Sequence, residues 1–316
     1  MMFGWKTPSD EAARIVDQAI DNGLNLFDTS SSYGRGQSET VLGNVLAQNG
    51  KRAKIVLATK VHFRSDENDI NAFGNSRRHI IQQCDESLKR LQTDYIDLYQ
   101  VHRPQPSIPI DETLRALDDL IRSGKVRYIG SSSFAAWQIL ESIWVAKEYG
   151  LNRFVTEQPP YNFLDRRAEG ELFPMAQTYG LGLLTYCPLA EGILTGKYKK
   201  GEPFPGDSRF AQVNKPGLYG KRLTTEVYRV LDVVRDLAHE KNCTMSQFSL
   251  AWILQQPAIT SAIIGPCTVE QLTDNLGAFN ISLSKDELER IDTVAPPASV
   301  TSSYHDADWG PNLFHW

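Results

Sequence analysis

The chain has 316 residues, 41% of them hydrophobic, and a net charge of -5 with a pI near 5.7. Its Lys and Arg residues are scattered, which excludes nucleic acid as a main partner. The four cysteines, at 84, 187, 243 and 267, show neither metal-ligand nor disulfide-framework spacing, and no run reaches the ~20 apolar residues of a membrane span.

Strand-like apolar runs alternate with amphipathic helical stretches along most of the chain, the pattern of a parallel sheet with crossover helices. A short strand-like opening at 1–4 is followed by helix 11–22, strand 24–29, helix 39–48, strand 55–61, helix 77–91 and strand 96–102. Next come helix 111–123, strand 126–131, helix 135–149, strand 154–158, helix 171–179 and strand 182–186. The last repeat places helices 226–241 and 246–256 before strand 259–264 and a final helix 269–279. Eight strand positions, with no glycine-patterned dinucleotide turn after the first strand, predict an α/β fold of the (β/α)8 TIM barrel type, one domain over 1–316.

Two stretches break the rhythm. Residues 199–222 are rich in Gly and Pro and follow strand seven, where long connections often cover a site. The tail 295–316 carries Tyr304, Trp309, Phe314 and Trp316, which fits either a segment packed on the outer wall or a wall of the pocket.

Four ionisable residues stand just past the ends of three strand-like runs: Asp28 and Tyr33, Lys60, and His102. In a parallel α/β fold, carboxyl ends of strands are where sites are built. Singly, each has a blander role. Asp28 could cap a helix, Tyr33 pack in a loop, Lys60 stand solvated at a strand end, and His102 hydrogen-bond in a loop. Together they make a chemical unit. A tyrosine, with a pKa of about 10, donates a proton more readily beside an ammonium that favours its phenolate. Asp28 would hold Lys60 charged, and His102 could hydrogen-bond a substrate oxygen. A metal site at His62, His102 and Asp28 is not expected, because no further ligand has the spacing to complete it.

The run Gly23-Leu24-Asn25-Leu26-Phe27-Asp28-Thr29, leading into Ser32-Tyr33-Gly34 and Ser38-Glu39 with the order Asp28, Tyr33, Lys60, His102, resembles the aldo-keto reductase superfamily, in its bacterial and channel β-subunit-like branch. The resemblance covers nearly the whole chain. It implies a nicotinamide cofactor, NADP(H) by family habit with NAD(H) not excluded, and a small-molecule carbonyl substrate. By the same resemblance the chain begins inside the first barrel strand, so that strand is expected to be truncated. A start without a basic and then apolar stretch, together with the sparse cysteines, predicts a cytoplasmic protein with no membrane partner. Oligomeric state is left open.

The stretch Arg127-Tyr128-Ile129-Gly130-Ser131-Ser132-Ser133-Phe134 is similar to the family's second signature, with Ser131 in place of an aliphatic residue and Ser133 in place of Asn. The resemblance implies that Ser132 and Gln158 receive the nicotinamide carboxamide. Tyr186 opens Tyr-Cys-Pro-Leu-Ala-Glu-Gly-Ile-Leu-Thr-Gly-Lys, which is similar to the segment that stacks under the nicotinamide and cradles the pyrophosphate. It makes Cys187, Pro188, Leu189, Gly192, Leu194, Gly196 and Lys197 cofactor candidates, and Arg209 resembles an arginine of the loop that folds over the cofactor. Near the C-terminus, Gly265, Cys267, Gln271 and Asn275 form the expected adenosine site, at a helix N-terminus whose free amides would favour an anion. Two other classes compete with a reductase. One is a nicotinamide-binding regulatory subunit similar to potassium-channel β-subunits; the other is a metal-dependent barrel hydrolase.

Overall fold

The computed structural model describes residues 1–212 and 222–303, which form two compact units. One comprises Met1–Gln158 with Gly265–Leu272, and the other contains the rest of the described chain. The tail aromatics Tyr304, Trp309, Phe314 and Trp316 lie outside the described residues.

The first unit is a run of β/α repeats. In chain order it holds α1 (Ser9–Asp21), β1 (Leu26–Asp28), α2 (Gln37–Asn49), β2 (Val56–Val61), α3 (Arg77–Leu91) and β3 (Ile96–Val101). These are followed by α4 (Ile110–Arg122), β4 (Val126–Ser132), α5 (Ala136–Tyr149) and β5 (Thr156–Gln158). Neighbouring strands pair in parallel in sequence order, each joined to the next through a helix. Strands covered on both faces read as continuous apolar runs, and β3 buries every residue but Asp97 to less than a tenth exposure. Register does the positioning. Lys60 of β2 lies opposite Gln100 of β3, Gln100 opposite Gly130 of β4, and Ser132 opposite Gln158 of β5.

The helices follow their apolar stripes. In α1, Ala12, Ile15, Val16 and Ala19 recur at i, i+3, i+4 and i+7 and are all buried. The start of α3 is set by Ser76, whose hydroxyl accepts from the His79 amide at 3.4 Å. Between α2 and α3 the backbones come close enough that a side chain at Gly43 would overlap the Arg90 carbonyl and stand 2.7 Å from the Leu91 Cα. The buried Glu39 carboxylate ties the same region together, accepting from Thr59 Oγ1 at 2.5 Å and Arg90 Nε at 2.6 Å.

The expected strand at 1–4 does not form. The Met2 carbonyl instead accepts from the amides of Trp5, Lys6 and Thr7 at 3.2, 3.0 and 3.2 Å, which curls the segment into a turn, leaving a single bridge between Phe3 and Thr7. Local hydrogen bonds have replaced a ladder, and seven strands are found among the described residues.

The second unit contains α6 (Leu172–Tyr179), β6 (Gly182–Thr185), α7 (Arg209–Gln212), α8 (Thr225–Glu240), α9 (Met245–Leu254), β7 (Ile259–Ala262) and α11 (Lys285–Val294). Helix α10 (Val269–Leu276) begins in the first unit and ends in the second. Strands β6 and β7 pair in parallel. The core is aromatic: Trp252 stacks on Tyr161 at 5.1 Å and lies 4.3 Å from Phe163. Helix α11 was not anticipated, although Ser284 and Glu287 form a reciprocal capping box at its start. The expected long loop at 199–222 contains α7, and Phe210 stacks on Tyr198 at 4.3 Å. The beginning of the expected tail is packed: Ala295 is fully buried with its carbonyl accepting from Arg166, and Thr301 donates its amide to the Leu164 carbonyl at 2.8 Å.

Replacing Gly43 with alanine should cost about 1–3 kcal/mol, because the overlapping atoms are backbone and cannot swing away. Urea unfolding should show a lower midpoint with an unchanged slope.

Candidate active site

At the carboxyl ends of β1 and β2 the first unit buries an ammonium. Lys60 has no exposed surface and the Asp28 side chain is 5% exposed. Two of the Lys60 hydrogens have protein acceptors, the Asp28 carboxylate Oδ2 and the Thr29 carbonyl at 2.9 Å. Burial works against the charge, but Asp28 and Tyr33 outweigh it and hold Lys60 above the usual lysine range. The remaining carboxylate oxygen of Asp28 accepts from Gln100 Nε2 at 3.0 Å and Gln158 Nε2 at 2.9 Å. Gln158 Nε2 also donates to Gln100 Oε1 at 3.1 Å.

Tyr33 sits in the turn after β1, its amide donating to the Ser30 carbonyl at 3.1 Å. Its ring meets that of His102 edge to face at 5.7 Å, and Lys60 Nζ lies 5.2 Å from its centroid. His102 follows β3, with its amide held by the Val61 carbonyl at 2.8 Å and Phe63 against its ring at 4.8 Å. Burial, reinforced by Lys60, Arg103 and His62, pushes His102 well below the usual imidazole range, so the ring is neutral at pH 7. The four residues expected to act together are brought together. His62 is occupied elsewhere, with Asn75 Oδ1 2.9 Å from its Nδ1, and burial pushes it down to about 4. Among the described residues no cluster of His, Cys, Asp or Glu could hold a metal ion.

Two of the cofactor candidates of this unit, Gln158 and Ser132, lie side by side. Both Gln158 Nε2 hydrogens are committed to Asp28 and Gln100, so its Oε1 has no donor among the described residues and can accept one. The Ser132 hydroxyl donates to the Gln158 carbonyl at 3.0 Å, leaving its lone pairs as acceptors. Ser133, at the position where the family has Asn, adopts a left-handed backbone with φ 59° and accepts from Arg103. The turn is fastened from beneath by Glu157, a fully buried carboxyl that accepts from Ser131 Oγ at 2.5 Å and the Phe134 amide at 3.2 Å. Burial pushes Glu157 up to about 8 despite those donors.

The segment around Gly265, Cys267 and Gln271 departs from expectation. Three of the amides expected to await an anion already have protein acceptors: Cys267 donates to Gln271 Oε1 at 2.8 Å, Val269 to Glu11 Oε1 at 2.8 Å, and Gln271 to Thr268 Oγ1 at 3.3 Å. Gln271 is exposed, whereas Asn275 is 8% exposed.

In the second unit, the segment after β6 has an unusual backbone. Cys187, Ala190, Glu191, Gly192 and Gly196 all take positive φ, and the last four fall within seven residues. Several amides of this curl are closed on the chain itself: Ala190 donates to the Cys187 carbonyl at 2.9 Å, Gly192 to Leu189 at 2.8 Å and Gly196 to Ile193 at 3.1 Å. Gly192, at φ 96°, is needed both for that curl and because Lys197 Cε and Nζ would lie 2.8 Å from any Cβ there. The Asn162 side chain secures the entry by donating to the Cys187 carbonyl at 3.0 Å, and the Tyr186 amide donates to the Pro159 carbonyl at 3.0 Å. Pro188 and Leu189 carry the turn, while Ile193 and Leu194 anchor its far side in the core. Arg209 lies 3.4 Å from Glu191, which also pairs with Arg222.

Several contributors were not foreseen: Gln100, Ser30, Glu157 and Arg103. Gln100 had a signal, a polar residue inside an apolar strand run, which in a buried strand demands a partner.

The sequence matches the Aldo/keto reductase family over residues 1–296. It is 40% identical to the uncharacterized oxidoreductase YrpG of Bacillus subtilis, covering 94% of this chain and 90% of that protein. It is 38% identical to a putative voltage-gated potassium channel subunit beta of Schizosaccharomyces pombe, over 92% of this chain and 88% of the other. Identity to protein tas of Escherichia coli is 34%, over 93% and 92%.

Removing one partner of the buried pair should be costly. Lys60→Met leaves Asp28 uncompensated and should lose about 3–5 kcal/mol in denaturant unfolding, while Lys60→Met with Asp28→Asn should recover part of it. Glu157 sets a pH dependence. With a folded pKa of about 8 against an ordinary 4.5, the native state keeps a proton that the unfolded chain releases. Its contribution to stability should therefore fall as pH rises from 4.5 to about 8 and then level off. The difference in stability between the protein and Glu157→Gln, followed across that range, should show the decline only in the unsubstituted protein.

Proposed function

Because this chain belongs to the aldo/keto reductase family, whose fold is the (β/α)8 barrel, we propose that it reduces an aldehyde or ketone to the alcohol, reversibly, with a nicotinamide cofactor. The observation that carries this reading is the Lys60 ammonium, buried, held by Asp28 and placed 5.2 Å from the Tyr33 ring centroid. When bound, the nicotinamide supplies the hydride. Gln158 and Ser132 would hold its carboxamide, since each offers an acceptor atom. The family resemblance assigns the curl of residues 187–196 with Lys197 to the pyrophosphate, the glycines allowing close approach and the lysine adding positive charge. Tyr186 would face the nicotinamide ring. Family habit favours NADP(H) over NAD(H), with Arg209, Gly265, Cys267, Gln271 and Asn275 as candidates for the adenosine end. The internal hydrogen bonds of the Cys267 region argue for shape there more than for an amide-lined anion site.

In this reading Tyr33 is the general acid. As its proton passes to the carbonyl oxygen, the phenolate left behind is stabilised by the Lys60 ammonium, whose charge Asp28 and the Thr29 carbonyl maintain. The neutral His102 donates a ring N–H to the same oxygen, orienting the carbonyl and easing the charge that develops on it. Phe63, packed on His102 and 37% exposed, offers an apolar wall for the substrate.

A second reading is favoured by the similarity to the potassium channel subunit beta of Schizosaccharomyces pombe: a cofactor-binding regulatory subunit with little turnover. Absorbance of reduced nicotinamide followed with a panel of aldehydes separates the two. Turnover should be measurable, and Tyr33→Phe should lower kcat by roughly 100- to 10,000-fold while cofactor affinity, read by fluorescence, stays near that of the unsubstituted protein. Tight cofactor binding without turnover on any aldehyde would point to the regulatory subunit.

A further inference from the structure

The reductase reading requires a particular hydrogen on His102, and the neutral ring has only one to place. Its Nδ1 is turned away to Ser30, whose Oγ lies 3.1 Å away. Ser30 is fully buried, and its Oγ has two more partners: the Ser32 amide, which donates to it at 3.3 Å, and the Ser32 hydroxyl at 3.0 Å. A hydroxyl has two lone pairs and one hydrogen. The Ser32 amide can only donate, so it fills one lone pair. Two arrangements remain: Ser32 Oγ donates into Ser30 and Ser30 donates to Nδ1, or Nδ1–H donates into Ser30 and Ser30 donates to Ser32. The first is favoured because an imidazole nitrogen is the stronger acceptor. The amide donating into Ser30 Oγ also polarises its O–H, making it the better donor.

We propose that Ser30 is a positioning residue that fixes His102 in the tautomer carrying hydrogen on Nε2, the nitrogen free to donate to a carbonyl oxygen. The same residue holds the acid, since its backbone carbonyl accepts the Tyr33 amide at 3.1 Å. Side chain and backbone of one residue thus set both groups that would meet the substrate oxygen. The use made of Nε2–H rests on the reductase reading, whereas the tautomer does not.

The test is nuclear magnetic resonance of the cofactor-free protein labelled with nitrogen-15 at histidine, with the His102 signals identified by their loss in His102→Gln. The unsubstituted protein should show a protonated Nε2 and a bare Nδ1. Ser30→Ala should raise the population protonated at Nδ1, and Ser30→Thr, which keeps the hydroxyl, should restore the original pattern. In turnover with NADPH and an aromatic aldehyde, Ser30→Ala should lower kcat by about tenfold, the scale of one neutral hydrogen bond, with the KM for NADPH unchanged and rescue by Ser30→Thr. A ring protonated at Nδ1 in the unsubstituted protein, or a tautomer unchanged in Ser30→Ala, overturns the proposal. Absence of turnover in the unsubstituted protein would sink the reductase reading alone, because the tautomer is read without it.

Discussion

Much of the first unit answers to one demand, that the ammonium of Lys60 be kept charged where water cannot reach it. An isolated ion in such a place would lose its proton, so acceptors have to be delivered to it by the chain. Asp28 and Thr29 arrive from the end of β1 and supply them. Parallel pairing makes this possible, because neighbouring strands end on the same side and a fixed register puts Gln100 and Gln158 beside the second oxygen of Asp28. A shift of one residue in β2 would turn Lys60 to the opposite face and dissolve the arrangement. The chemistry proposed for Tyr33 is a by-product of how the buried charge is satisfied.

The four residues that the structure brings together stood out in the sequence because they are polar residues beyond the ends of apolar runs, a contrast visible along one dimension. Strong periodicity likewise gave α3 with the same bounds, 77–91, that the structure has. What it hid were partners across strands. Nothing local to Gln100 says that Asp28 and Gln158 await it, nor does Arg103 announce that it reaches Ser133. The opening at 1–4 was counted as a strand from the family resemblance, yet the Met2 carbonyl is taken by the amides of Trp5, Lys6 and Thr7. At α10 the amides expected to be open were closed by Glu11, some 258 positions away in the sequence, and by the helix's own polar side chains. Helix α11 was missed despite a readable signal, its capping pair of Ser284 and Glu287.

Glu157 presents the same physics with a different balance. It too is completely buried, but it lacks a close cationic partner of the kind Asp28 gives Lys60, and burial prevails over its hydroxyl and amide donors. One carboxyl stabilises a charge and the other fastens a turn whose residues Ser132 and Ser133 lie at the proposed carboxamide site. In the second unit backbone conformation does comparable work: a left-handed curl at Ala190, Glu191 and Gly192 is tolerated because Ile193, Leu194 and Ala190 are sunk in the core on either side.

The carboxylate of Asp28 is saturated, with Lys60 on one oxygen and two glutamine amides on the other. Residues bound in that way do not change independently. A lineage that altered Asp28, Lys60, Gln100 or Gln158 one at a time would pass through a form with an orphaned polar group, while the surrounding loops bear no such penalty. Divergence in this chain is therefore channelled: novelty can accumulate around the mouth of the site, and the four linked positions travel together as a single inherited character.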